Sequence, residues 1–404
     1  MVAPKRKIIN DPVYGFITIN HPLIFSILAH PYYQRLRRIT QMAMGQLVYP
    51  GAVHTRFHHS LGAYHLMGNA VNELRSKGTE ITEEEEIAVK AAILLHDIGH
   101  GPYSHALEHV VVKGVHHETL SLQIMHEMNA AFDGQLTLAI QIFTGAYHKP
   151  FLHQLISGQL DVDRMDYLSR DSFFCGVSEG VIGYDRILKM LVVVDGQLMI
   201  EEKGIYSVEK FLVARRQMYW QVYLHKTVLS AEKMLVKILE RARSLYTSND
   251  AAMQTGSALD YFLGTFNGTM DAHALAQFCA LDDHDIMHAI KRWSTHPDKV
   301  LSLLCSRFLS RQLYKTTIQS EPFLPATIAA KQKQSLDAFE LDPSEVDYVC
   351  FTGEATNTLY QTKDERINIL FKDGSIKDIS LIDNALIHQN LSAAIKKNYI
   401  CQLL

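Results

Sequence analysis

Residues 95 to 105 read L95-H-D-I-G-H-G-P-Y-S-H105. The stretch closes an apolar run on an adjacent pair, His96 and Asp97, and sets His100 and His105 just beyond it. Imidazole nitrogen beside carboxylate oxygen is a mixed donor set that suits a divalent transition metal. Gly99, Gly101 and Pro102 break a helix here, which leaves His100 and His105 on a loop facing whatever the metal holds. A His-Asp dipeptide means little alone, but two further segments match it.

Upstream lies H54-T-R-F-H-H-S-L-G62, and downstream lies D161-V-D-R-M-D-Y-L-S-R-D171. In chain order, a histidine, then His-Asp, then an aspartate give a site of two histidines and two carboxylates assembled from three helices. At about 3.6 residues per turn, Asp163, Tyr167 and Asp171 repeat every four positions and share one helix face, with Arg170 close by. Buried charges without partners cost several kcal/mol each, so such a face is not ordinary core. Taken alone it could equally be a solvated surface.

A third pattern follows in R215-R-Q-M-Y-W-Q-V-Y-L-H-K226. Arg215, Tyr219, Tyr223 and Lys226 fall at i, i+4, i+8 and i+11, within about 80° of one another on a helix. One face then offers two cations and two aromatics, suited to phosphates and to a sugar or base. The alternative is an amphipathic helix whose Arg and Lys stems cover a Tyr-rich core.

The remaining sequence sets broad limits. The 404 residues allow a large core and one or two domains, and 47% hydrophobic with 20% charged content is ordinary for a globular protein. A net charge of −4 argues against nonspecific nucleic-acid binding, and requires that an anionic substrate be held by a local cationic cluster. Cys175, Cys279, Cys305, Cys350 and Cys401 show no metal-ligand spacing, and their odd number suits a reducing compartment. No apolar run nears the roughly 20 residues of a membrane span, and no signal-peptide core opens the chain, so a cytoplasmic protein is expected.

Most of the first 250 residues read as helical. Glu83–Leu95 is expected to be a helix, with acids in its first turn and a capping box from Thr82 to Glu85. Short strands are expected at 16–19 and 191–200, the latter folded at V193-V-D-G-Q197. The polar stretch 248–257 marks a boundary between residues 1–250 and 251–404. Beyond it, helices are expected over 258–311 and 326–338. Strands should follow at 346–351 and 366–371, then a K372-D-G-S375 turn and a strand to Leu381. His284, His288 and His296 belong to an ordinary amphipathic helix with no carboxylate cluster to answer them.

Several of these segments together resemble the HD-domain phosphohydrolases, and among them the deoxynucleoside triphosphate triphosphohydrolases. N10-D-P-V-Y-G15, Y33-Q-R-L-R-R-I-T-Q-M42, P50-G-A-V-H-T-R-F-H-H-S-L-G62, H116-H-E118 and the 215–226 segment match in order, covering roughly residues 7 to 230. The resemblance implies a mainly α fold, an HD-domain helical core with a smaller α+β C-terminal lobe. It implies a divalent metal (Mn, Fe, Zn, Ni, Co or Mg) on His59, His96, Asp97 and Asp163. Ser60-Leu61-Gly62 sets the register in favour of His59, although His58 stands where the family usually has an acid.

His117 with Glu118 matches the family's catalytic histidine and its carboxylate, and His100 and His105 match the phosphate-side histidines. Arg56, Arg164, Arg215 and Lys226 become phosphate ligands. Gln41, Tyr167 and Asp171 become sugar contacts, with Asp171 reading a 3′ hydroxyl, and Met42 and Tyr223 flank sugar or base. Tyr219 and Met42 replace a histidine and a leucine of the family's human member. An activating nucleotide could sit near Lys7, Asn10, Gln34 and Arg37, although Ala29 stands where an acid would read guanine; the alternative is that Gln34 and Arg37 tie helices together. A homo-dimer or tetramer is implied.

Three readings follow. The first is a metal-dependent hydrolase that converts deoxynucleoside triphosphates to deoxynucleoside and inorganic triphosphate. The second keeps the site but acts on nucleoside monophosphates or other phosphate esters, and the third is a nucleotide sensor without turnover.

Overall fold

The computed structural model describes residues 6–112, 114–247, 250–357, 366–382 and 395–404. Its centre is a helical core built from Arg56–Ser76, Glu83–Leu95, Thr137–Phe143 and Val162–Cys175, which pack on one another. Leu66, Val71, Val89, Ile93, Leu95 and Leu168 are fully buried between them. The HD-type mainly α fold with a mixed C-terminal lobe is the observed architecture.

Local chemistry sets where the helices begin. Thr82 Oγ1 accepts the Glu85 amide while Glu85 accepts the Thr82 amide, the expected capping box. At Thr55 a histidine does the carboxylate's work: His58 Nδ1 accepts the Thr55 amide at 3.1 Å. His58 is therefore engaged in starting the Arg56–Ser76 helix, and His59, one residue on, is directed inward at 1% exposure.

The Glu83–Leu95 helix stops at His96, and the chain turns at Gly99. A Cβ on Gly99 would stand 2.1 Å from the His117 carbonyl, so only glycine admits this close approach. Tyr103 and Ser104 both take positive φ, +53° and +51°, which non-glycine residues rarely adopt. Asp283, from the C-terminal lobe, accepts the Tyr103 amide at 2.7 Å and braces that loop.

Among the described residues, three small sheets lie around the helices. Lys7–Asp11 pairs antiparallel with Gly15–Ile19. Leu191–Val194 and Gln197–Glu201 form the expected hairpin, turning through positive φ at Asp195 and Gly196, and are joined by Asn368–Leu370 and Ile376–Asp378. Ile395–Gln402 lies between Lys315–Gln319 and Cys350–Asn357. The lobes are tied by buried Arg35, which donates to the carbonyls of Leu281 and His100.

Four expectations are corrected. Residues 346–349 form a helical turn and the strand begins at Cys350. The strand before Leu381 ends at Asp378 and gives way to a 3₁₀ turn. Strands Lys7–Asp11, Lys315–Gln319 and Ile395–Gln402 were not expected. The single helix through Arg215 and Lys226 is interrupted: Ile205–Met218 passes into a π-helical turn, Tyr219–Tyr223, and a new helix starts at Lys226 with His225 as its N-cap. Ser248 and Asn249 of the expected boundary lie outside the described residues.

Candidate active site

Three helix ends bring His59, His96, Asp97 and Asp163 together. His59 Nε2 lies 3.0 Å from Asp163 Oδ1 and 3.5 Å from Asp97 Oδ2. His96 Nε2 lies 3.4 Å from Asp163 Oδ1 and 3.5 Å from Asp97 Oδ1. Each imidazole is oriented through its other nitrogen. His59 Nδ1 donates to Asp166 Oδ2 at 2.7 Å, and His96 Nδ1 donates to the Ile93 carbonyl at 2.6 Å. Both Nε2 atoms are thereby left as acceptors aimed at one point, the usual preparation of histidine for a metal.

The set fits a divalent cation on its own chemistry. His96 Nε2 is buried with no hydrogen-bond partner. Burial opposes charge on Asp163, but the neighbouring His59 and His96 imidazoles outweigh it and hold the carboxyl well below the usual range. Burial likewise opposes charge on Asp97, and the Arg56 guanidinium, then His96 and His100, hold it ionised. Burial also works against a charged His59, yet Asp163 and Asp166 push its imidazole up to about 10. A field that stabilises positive charge this strongly would stabilise a cation between the same groups.

Beside this set stands a second cluster. His100 and His117 stack with centroids 4.1 Å apart at 16°, and His105 meets His100 edge-on at 4.7 Å. Burial and then Arg56 keep the His100 imidazole well below its ordinary value, and therefore neutral. The carboxylate of His117 is Glu108, whose Oε1 accepts from His117 Nδ1 at 2.6 Å, while Oε2 accepts from His105 Nδ1 at 3.0 Å. Glu118, expected to be that partner, is exposed at the cavity wall. The side chain at N2 of a helix points away from the ring at N1, whereas Glu108 opens the short helix Glu108–Val111 and reaches that ring. Burial opposes ionisation of Glu108, but His105 and His117 hold it well below the carboxylate range.

Both clusters open into one cavity of about 760 Å³, within the range of ligand pockets, about 300–1,000 Å³. Its far wall holds Gln41, Met42, Tyr167, Asp171, Tyr219 and Tyr223. Asp171 accepts from His54 Nε2 and from the Tyr223 hydroxyl, both at 2.7 Å. Gln41 Oε1 is buried without a partner. Tyr219 donates to the Thr356 carbonyl, which joins the cavity rim to the C-terminal lobe.

The cations divide. Arg164 and Arg215 line the cavity, held by Gly158 O at 2.6 Å and Gln159 Oε1 at 3.1 Å. Arg56 reaches the cavity but spends its guanidinium on Asp97 and on Ser104 Oγ. Lys226 is exposed on the following helix and does not line the cavity, because the π turn ends the shared face. Sequence reasoning also missed His54, His153, Asp161 and Glu108; His54 and Asp161 sat in segments already singled out.

Away from the cavity, Gln34 donates to Leu28 O and accepts from Arg37, whose guanidinium lies 3.5 Å from the Phe57 ring centroid. Lys7 and Asn10 are exposed on the N-terminal hairpin. His284 and His288 are exposed, and His296 lies beyond their helix, where it accepts the amide of Asp298, the N-cap of the next one. Among the described residues, no helix is long and apolar enough to cross a membrane.

The chain is similar to several known proteins. Residues 56–171 match the model of the HD domain, and 182–263 match that of the HD associated region. A crystal structure of a phosphohydrolase from Bacteroides thetaiotaomicron superposes with a TM-score of 0.91 at 48% identity, covering 98% of this chain and all of that one. The Bacillus subtilis protein YwfO is 32% identical over 93% of this chain and 87% of its own. The Bos taurus deoxynucleoside triphosphate triphosphohydrolase SAMHD1 is 28% identical over all of this chain and 73% of its own. With the HD domain, the HD associated region and a phosphohydrolase structure all matching, the chain belongs to the HD-domain phosphohydrolase family.

Proposed function

We propose that the protein is a metal-dependent hydrolase of deoxynucleoside triphosphates, releasing deoxynucleoside and inorganic triphosphate. The observation that carries this reading is the sharing of one cavity by three unlike sets of groups. These are the candidate metal donors, which line it through His96, Asp97 and Asp163 with His59 buried behind them, the His100, His105 and His117 cluster on Glu108, and the polar and aromatic wall of Gln41, Tyr167, Asp171 and Tyr223. The Bos taurus relative named for this activity aligns over the whole of this chain.

A bound divalent ion would polarise a phosphoryl oxygen and acidify water. His117, oriented by Glu108, holds or takes a proton of the attacking water. Water adds to the α-phosphorus, the bond to the 5′ oxygen breaks, and His105 delivers a proton to that oxygen. Arg164 and Arg215 take the negative charge of the departing triphosphate. Gln41 and the Asp171–Tyr223 pair hold the sugar, with the unpartnered Gln41 oxygen free to accept from a hydroxyl.

One observation favours a second reading. With Arg56 bound to Asp97 and Lys226 outside the cavity, fewer cations face the phosphates than the sequence suggested. That leaves a phosphate monoester as the other candidate substrate. Incubation with manganese and each dNTP, singly and mixed, and with each deoxynucleoside monophosphate separates the readings by anion-exchange analysis of products. Nucleoside plus triphosphate, lost in Asp163→Ala, supports the first, and phosphate released only from monophosphates supports the second. Turnover only in the mixture adds an activating nucleotide, and binding without turnover points to a sensor.

A further inference from the structure

His96 and His59 are held differently. A backbone carbonyl suffices to orient His96, but His59 leans on a chain of buried charges. Asp166, at 0% exposure, receives Arg170 through Nε to Oδ2 and Nη2 to Oδ1, both at 3.0 Å. Arg170, also at 0% exposure, extends Nη1 to Asp11 Oδ2 at 2.8 Å. Asp11 lies at the end of the first N-terminal strand, and its Oδ1 accepts the amides of Val13 at 3.0 Å and Tyr14 at 2.9 Å. The Arg170 guanidinium also faces the Tyr14 ring at 5.5 Å.

Burying such a charge chain costs desolvation that a single carbonyl would avoid. Its geometry nevertheless leaves little slack. Arg170 is a planar fork that meets one carboxylate at each end, so displacement of Asp11 is carried to Asp166. Gly62 removes the one Cβ that would block the passage, since it would stand 1.9 Å from Asp166 Oδ1 and 2.1 Å from Arg170 Nη2. The other end lies in a hairpin with exposed Ile8 and Phe16, a surface open to whatever approaches it.

We propose that Asp11 and Arg170 are positioning residues for His59, through which the Lys7–Ile19 hairpin and the metal affinity of the site are coupled. The inference rests on the metal-centre reading above. Coupling is reciprocal: hairpin geometry sets metal affinity, and metal binding steadies the hairpin.

The test measures manganese affinity of the metal-free full chain by competition with a chromophoric chelator. Asp11→Asn should weaken binding about tenfold, the lower range for groups behind a ligating histidine. Arg170→Lys should weaken it as well, because an ammonium cannot bridge both carboxylates. Gly15→Ala strains the hairpin turn at φ +77° and meets nothing within 4 Å, so it should shift affinity in the same direction while leaving the charges intact. Arg241→Gln breaks the Arg241–Asp298 ion pair and serves as a control that loses stability but not affinity. Hydrogen exchange at Val13 and Tyr14 should slow on manganese addition in the wild type and not in Asp11→Asn. Equal affinity in wild type, Asp11→Asn and Gly15→Ala, with hairpin exchange indifferent to metal, would overturn the coupling. A wild type that binds no manganese would overturn the metal-centre reading itself, and the coupling with it.

Discussion

Glu108 accepts from Nδ1 of His117 at 2.6 Å, nine residues along the chain, and the same carboxylate receives His105 at 3.0 Å. Two candidate proton-transfer groups therefore share one anion, which fixes both rings with Nε2 turned away from it. Replacing it by an amide leaves the shape but removes the charge that supports an imidazolium. Glu108→Gln should lower kcat about 10²-fold with a smaller change in KM. Glu118→Gln should fall less, since Glu118 is exposed. Steady-state kinetics of the two variants decide the assignment, and a larger loss in Glu118→Gln would return the role to that residue.

Removal of metal should abolish turnover and also soften the fold. Asp97 and Asp163 lie close around His59 and His96, two carboxylates that a bound cation would neutralise. A ligand at 100 times its dissociation constant stabilises by about 2.7 kcal/mol. Thermal unfolding after chelation should therefore show a midpoint lower by several degrees, restored by manganese in the wild type. Asp163→Ala should show no metal-dependent shift. An unchanged midpoint in the wild type would argue that the four groups hold no ion.

Gly62 and Gly68 lie on the same helix and should respond oppositely to alanine. At Gly62 a Cβ collides with Asp166 and Arg170, whereas at Gly68 the nearest atom is Lys90 Cε at 3.1 Å, the end of a flexible chain. Gly62→Ala should destabilise by about 2–3 kcal/mol through overpacking. Gly68→Ala should be neutral or gain about 0.5–1 kcal/mol from helix propensity. Denaturant unfolding of the two variants provides the comparison.

The candidate metal donors were legible because each sits at a helix start or end with its own signal. Ser60-Leu61-Gly62 selected His59, and the structure shows why His58 is spared, since it caps the helix at Thr55. Asp163, Tyr167 and Asp171 keep one face because Val162–Cys175 is uninterrupted. The face through Arg215 and Lys226 did not survive, because a π turn leaves no glycine or proline to announce it. Glu108 was illegible for another reason. Its pairing with His117 depends on the path of a loop, and spacing along the chain says nothing of that.

Asp283 shows the same limit, and its consequence can be measured. It belongs to the C-terminal lobe, yet it accepts the Tyr103 amide at 2.7 Å and the Thr40 amide and hydroxyl at 2.8 Å, next to Gln41 and His105. Burial raises its carboxyl to about 6, although these hydrogen bonds oppose the rise. A carboxyl raised in the folded state keeps its proton longer than in the unfolded chain, so its stabilising contribution is full below about pH 4. It is lost as pH climbs through about 6. Two units correspond to about 2–3 kcal/mol. Other carboxylates titrate over the same range, so the readout is the difference between the wild type and Asp283→Asn, which cannot titrate. That difference should move against the wild type by about 2–3 kcal/mol between pH 4 and 7 in denaturant unfolding. A flat difference would mean that the three donors hold Asp283 ionised throughout. The loop carrying His105 would then be braced by a permanent charge.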